Sequence, residues 1–131
     1  MLRAERRSNG SWFSLWDGYV ASSASELEID HVVALAEAWD SGANAWSAAQ
    51  RDAFADWTVN LTAVTEASNQ RKSDRDAAEW FPSRSVSNCA FAEIRIEVSV
   101  EPEKSMLSMR VPIVNGPNVC VRTGSLRFTT R

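Results

Sequence analysis

The sequence predicts an α+β domain, because short β-like segments alternate with capped, helix-period stretches along a chain long enough for one core. At 131 residues it sits near the mode for single domains, and such a chain buries roughly two-thirds of the surface its unfolded form exposes. A hydrophobic fraction of 44% with 24% charged residues is that of an ordinary globular protein and excludes collagen-like, low-complexity and wholly disordered classes. No apolar run approaches the roughly 20 residues that cross a bilayer, so no membrane partner is expected. Met1 to Ser11 carries charge without an apolar stretch after it, so no signal peptide is read. Seventeen acidic against 14 basic side chains give a net charge of −3. Any nucleic-acid contact must therefore come from a local basic patch.

Residues 1–26 form a lead-in: Arg3, Arg6 and Arg7, then Trp12, Phe13, Trp16 and Tyr19 broken by Gly10 and Gly18, a turn-rich pattern with room for one short strand. Leu27, Ile29, Val32 and Val33 make a short apolar strand near 28–33. From Val33 the spacing of Leu35, Ala36 and Trp39 turns helical until Gly42 supplies a stop. Ser47 with Gln50 is a capping-box pair, and Ala49, Ala53, Phe54 and Trp57 lie on one stripe, which predicts a helix over 48–57. Asn60–Val64 reads as a strand, and Thr65 caps a helix that runs through Ser68, Asn69 and Lys72. Asp76 with Glu79 predicts a further helical turn, ended by Pro82. Glu93–Val100 alternates Ile94, Ile96, Val98 and Val100 against polar neighbours, a strand signature on periodicity alone. Beyond Pro102, residues 103–109 suit a helix and the stretch after Val111 suits β or coil. The Trp residues 39, 46, 57 and 80 are read as core anchors.

A single histidine rules out any site needing two or three histidine ligands. Cys89 and Cys120 are too few for a zinc cluster; they are either one disulfide or two free thiols. Around the histidine, three spacings stand together. Asp30-His31 ends an apolar strand, Asn60-Leu61 opens another 29 residues after His31, and Asn69 and Lys72 follow nine and twelve residues after Asn60. Taken singly, Asp30 suits a helix cap, Asn60 a turn, and Asn69 a solvated helix position.

Taken jointly, the pattern resembles the HNH, or His-Me finger, nuclease superfamily. The run Ile29-Asp30-His31-Val32-Val33-Ala34-Leu35-Ala36, with Arg51, Phe54, Leu61-Thr62-Ala63-Val64 and Asn69-Gln70-Arg71-Lys72, resembles the members related to the nuclease part of GmrSD restriction enzymes. The likeness covers about residues 10–107; Ala34 stands where those relatives usually have Pro, and the loop before Asn60 is short.

The resemblance implies a ββα-metal core with additional helices in a nuclease domain over 27–109, a C-terminal tail over 110–131, and a metal-dependent endonuclease acting on DNA. It assigns His31 as general base, Asn60 as the residue orienting the His31 ring, Asp30 and Asn69 as ligands of one Mg²⁺ or Mn²⁺ ion, and Arg71, Lys72 and Arg75 as phosphate contacts. Such chemistry needs a base for the attacking water, a cation for the developing charge and donors that hold the phosphate in line. The alternative is a catalytically inactive, nucleic-acid- or protein-binding remnant of the same fold. The relatives carry a helix where Glu93–Val100 alternates, and that helix is adopted here. They are commonly exported, which implies secretion and a Cys89–Cys120 disulfide. A monomer is assumed.

Overall fold

The computed structural model describes residues 10–100. In chain order these form β1 (Trp12–Phe13), β2 (Val20–Ala21), β3 (Glu28–His31), α1 (Leu35–Asp40), α2 (Ala48–Ala55), β4 (Leu61–Val64), α3 (Glu66–Lys72) and α4 (Asn88–Val100), joined by 3-10 turns. The result is a mixed α/β fold whose strands make two small antiparallel sheets.

The lead-in folds as the hairpin β1–β2, with Trp12 opposite Ala21 and Phe13 opposite Val20. Gly18 turns it at φ 78°, a left-handed conformation that glycine adopts without steric cost. The second sheet pairs β3 with β4 from Glu28↔Val64 to His31↔Leu61. Strand β3 stops two residues before the expected end because Val32 and Val33 enter the core, both at 0% exposure. Helix α2 starts at the expected capping box, where Gln50 N–H donates to Ser47 Oγ at 3.2 Å and Ser47 N–H to Gln50 Oε1 at 2.9 Å. It ends at Ala55, and the chain continues into a 3-10 turn over Thr58–Asn60. Thr65 caps α3, accepting from Ser68 N–H at 3.2 Å. The expected turn after Asp76 is present, with Glu79 and Trp80 N–H both donating to the Asp76 carbonyl at 3.1 Å.

Helix α4 replaces the strand that alternation alone suggests. Its buried positions are Phe91, Ala92, Ile94, Arg95 and Val98, a spacing of three and four, while Ile96 is 41% exposed. One core joins Trp16, Val32, Val33, Phe54, Val64, Phe91, Ile94 and Val98. Its rings meet edge to face, Trp16 and Phe91 at 5.4 Å and Trp46 and Phe54 at 5.5 Å. Trp46 and Trp57 are buried and Trp80 packs on the core, as expected. Trp39 is not a core anchor, for 49% of it is exposed. Cys89 is disulfide-bonded; Cys120, the helix expected over 103–109 and the stretch after Val111 lie outside the described residues.

Candidate active site

Strand alternation sends Glu28 and Asp30 to one side of β3 and Ile29 and His31 to the other. Helix α3 covers the first side. There Lys72 Nζ donates to Asp30 Oδ1 at 3.1 Å, with the two side chains 0% and 7% exposed, and also to the Ser73 carbonyl at 3.3 Å. One turn earlier Asn69 Nδ2 donates to Glu28 Oε2 at 2.8 Å. Asp30 Oδ2 is buried and meets no hydrogen-bond partner. The Trp16 indole N–H lies close enough to favour the carboxylate but outside hydrogen-bond geometry. Burial pushes the Asp30 carboxyl above its ordinary range, and the Lys72 charge and hydrogen bond oppose that rise without cancelling it.

The placement revises two expectations. Lys72 is not a surface phosphate contact: its ammonium is enclosed and balances Asp30. Asp30 and Asn69 do come to the same β3–α3 seam, but each is engaged by a different neighbour, Lys72 and Glu28 respectively.

On the other side of β3, His31 Nε2 lies 2.9 Å from the Ala55 carbonyl oxygen. A carbonyl only accepts, so Nε2 carries a proton in this contact, and in a neutral ring the lone pair would lie on Nδ1. Among the described residues none bonds Nδ1. Asn60 does not hold this ring. Its Oδ1 accepts from Val33 N–H at 2.8 Å, its Nδ2 donates to the Val33 carbonyl at 3.0 Å, and its own carbonyl accepts from Val32 N–H at 2.8 Å. Fully buried, Asn60 therefore sets the path of the chain just after His31, while Ala55 sets the ring.

A chain with this hairpin, helix and polar seam is matched over residues 6–104 by the family described as GmrSD restriction endonucleases, C-terminal domain. The chain belongs to that family. It is also 40% identical over 102 residues, 76% of its own length, to an uncharacterized secreted protein of Arthroderma benhamiae, and it spans about half (50%) of that relative. No solved structure matches the chain. The family is nuclease-related by its description.

In this GmrSD C-terminal domain relative, two supports of the site are invisible to motif spacing. The Ala55 carbonyl is backbone and carries no residue signature. Arg95 reaches from α4 to the Val32 carbonyl at 3.3 Å and grips both oxygens of Glu37 on α1, Nη1 to Oε2 at 3.1 Å and Nη2 to Oε1. The bracing falls on the residue after His31. Its signal was the position of Arg95 between Phe91 and Val98 at helical spacing, which alternation concealed. Arg71 and Arg75 are exposed at the end of α3. Their side chains donate to the carbonyls of Ala67 at 3.2 Å and Arg71 at 2.7 Å, as cations do at helix C-termini.

Proposed function

We propose that the protein is a metal-dependent DNA endonuclease with a ββα-metal, HNH-type centre formed by β3, β4 and α3. The observation that carries the reading is the bond between His31 Nε2 and the Ala55 carbonyl at 2.9 Å. It engages Nε2 as a donor, so that Nδ1 is the nitrogen of a neutral ring left to take a proton from water, as a general base does. In hydrolysis Nδ1 takes a proton from water as the water oxygen bonds to phosphorus. The bond to the leaving oxygen then breaks, and that oxygen takes a proton from solvent water while the imidazolium later releases its own to solvent. His31 and Asp30 are consecutive on β3 but point to opposite faces, so this reading needs the phosphate to lie across the strand end, between the base and the carboxylate.

The seam offers oxygen donors of the kind a hard divalent ion takes, the Asp30 carboxylate and the Asn69 amide oxygen with Glu28 beside them, and Asp30 Oδ2 is buried without a hydrogen bond. Lys72 already faces Asp30, and among the described residues no group of three or more His, Cys, Asp or Glu side chains comes together as a metal site. Mg²⁺ or Mn²⁺ held by Asp30 and Asn69 would supply neutralisation of charge on phosphate and leaving oxygen. Arg71 and Arg75 are the phosphate contacts in this reading; Lys72 balances Asp30, and Asn60 is a positioning residue. The secreted relative and the disulfide at Cys89 support action outside the cell.

The Lys72 ammonium against Asp30 favours one second reading, a non-catalytic remnant in which lysine takes the cation's place. A plasmid assay separates the two. The nuclease reading expects supercoiled DNA to be nicked with Mg²⁺ or Mn²⁺ and spared with EDTA. It also expects Mn²⁺ affinity by calorimetry to fall in both Asp30→Ala and Asn69→Ala. Intact DNA under all metals, or unchanged Mn²⁺ affinity in both variants, would defeat it.

A further inference from the structure

Beyond the seam, the described surface holds a cavity of about 220 Å³ between α1 and α2, lined among others by Leu35, Trp39, Trp46, Phe54 and Ala55. Three features set it apart from a packing gap. Trp39 presents a half-exposed indole. The Arg51 guanidinium lies 5.5 Å from the Trp39 ring centroid and donates to the Trp46 carbonyl, which fixes it. Ala55 belongs both to the cavity wall and to the bond that orients His31.

We propose that this cavity is a nucleobase subsite that holds an unpaired base of the strand whose phosphate is presented to His31; the inference rests on the nuclease reading above. The volume falls below the roughly 300–1,000 Å³ of drug-sized pockets, which suits one flat ring and not a peptide or oligosaccharide. Indole walls reward a ligand with a π-face, and base–aromatic stacking is strong and tolerant of sequence. Arg51 puts a cation where a phosphate-bearing ligand brings negative charge. Asp52, an exposed carboxylate on the wall, accepts from the exocyclic amino group of a base such as cytosine. An aliphatic side chain would fill the walls but use neither charge. With a net charge of −3, the molecule lacks a global field for DNA, so stacking at a defined pocket supplies attraction that electrostatics does not.

The test uses the full chain carrying His31→Ala, so that the probe, a short single-stranded oligodeoxycytidylate, is bound but not cut. Adding Trp39→Ala is expected to weaken binding roughly ten- to hundredfold, and Trp39→Phe to lie between. Tryptophan emission should be quenched on binding, and the Trp39 variants should lose part of that quench. An abasic residue at the responsive position should cost the parent protein a similar factor and cost Trp39→Ala nothing further. Equal binding by Trp39→Ala, or losses from the abasic residue and Trp39→Ala that simply add, would overturn the subsite. If binding follows the expected pattern while the unmutated chain never nicks, the nuclease reading fails and the base pocket stands.

Discussion

Removing the Asn60 side chain leaves the N–H and carbonyl of Val33 buried without the partners that hold them at 2.8 and 3.0 Å. Each orphaned buried group costs about 1–3 kcal/mol, so Asn60→Ala should destabilise by about 2–4 kcal/mol in urea unfolding. It should slow nicking through misplacement of the chain after His31. Lys72→Met strands a buried carboxylate and should cost about 3–5 kcal/mol, far more than the loss of an exposed phosphate contact; a cost near zero would return Lys72 to the surface. The sequence supplied these positions through their spacing but not their partners. Spacing along a chain locates a residue on a strand or helix, and it does not say that Asn60 would spend its amide on Val33 and leave the ring to Ala55. Burial of Lys72 is likewise a tertiary fact, fixed by Asp30 opposite it and not by its place on α3.

At the scale of elements, caps and turn residues were legible because their chemistry is local. Ser47 with Gln50 and Thr65 with Ser68 form the hydrogen bonds their order implies. Helix α4 was not legible from its own residues, since Ile96 supplies an apolar residue on the exposed side and Arg95 a charged one on the buried side. Two equal-sized changes probe it. Ile94→Ala, at 1% exposure, should cost about 2–5 kcal/mol, whereas Ile96→Ala should stay within about 0.5 kcal/mol. A strand would make the two costs alike. Ala34, ahead of α1, has φ −61° and ψ 148°, angles that proline adopts unstrained. Ala34→Pro should therefore raise stability by about 0.4–1 kcal/mol, read as a higher urea midpoint.

For the whole molecule, acid response and cross-linking follow from a local cluster of donors around the Glu26 carboxylate and from groups that tie distant segments, Asp17 and the disulfide. Glu26 accepts from Tyr19 Oη at 2.8 Å, Ser22 Oγ at 2.8 Å and the Ser22 and Ser23 N–H groups at 2.9 Å, which hold its carboxyl down at about 2. For Asp17, burial acts upward, but donors from Thr65, Ser14, Ser68 and Tyr19 outweigh it and lower its pKa. Both folded values lie below the unfolded ones, so the stability they contribute is present at neutral pH and is lost as pH falls through the acid range. Thermal melts should show a smaller loss of Tm between about pH 5 and pH 2 in Glu26→Gln than in the parent. A bridge from Cys89 to Cys120 closes a loop of about thirty residues, and reducing it should cost roughly 3–4 kcal/mol. Two free thiols in the denatured, unreduced chain would contradict the pairing. With Lys72 enclosed, Arg71 on α3 and Arg75 just beyond its end are the exposed cations there, so log affinity for DNA should fall with log salt at a slope of about −2.

The proposed nuclease function turns on His31 acting as the base, with Nε2 engaged by the Ala55 carbonyl and Nδ1 left to accept a proton. The direct measurement is the plasmid nicking rate of His31→Ala beside the parent protein in Mn²⁺, with and without added imidazole. A positioned base contributes about two to four orders of magnitude. The variant should therefore slow by at least about a hundredfold and regain activity as imidazole is added, whereas undiminished nicking by His31→Ala would contradict the assignment.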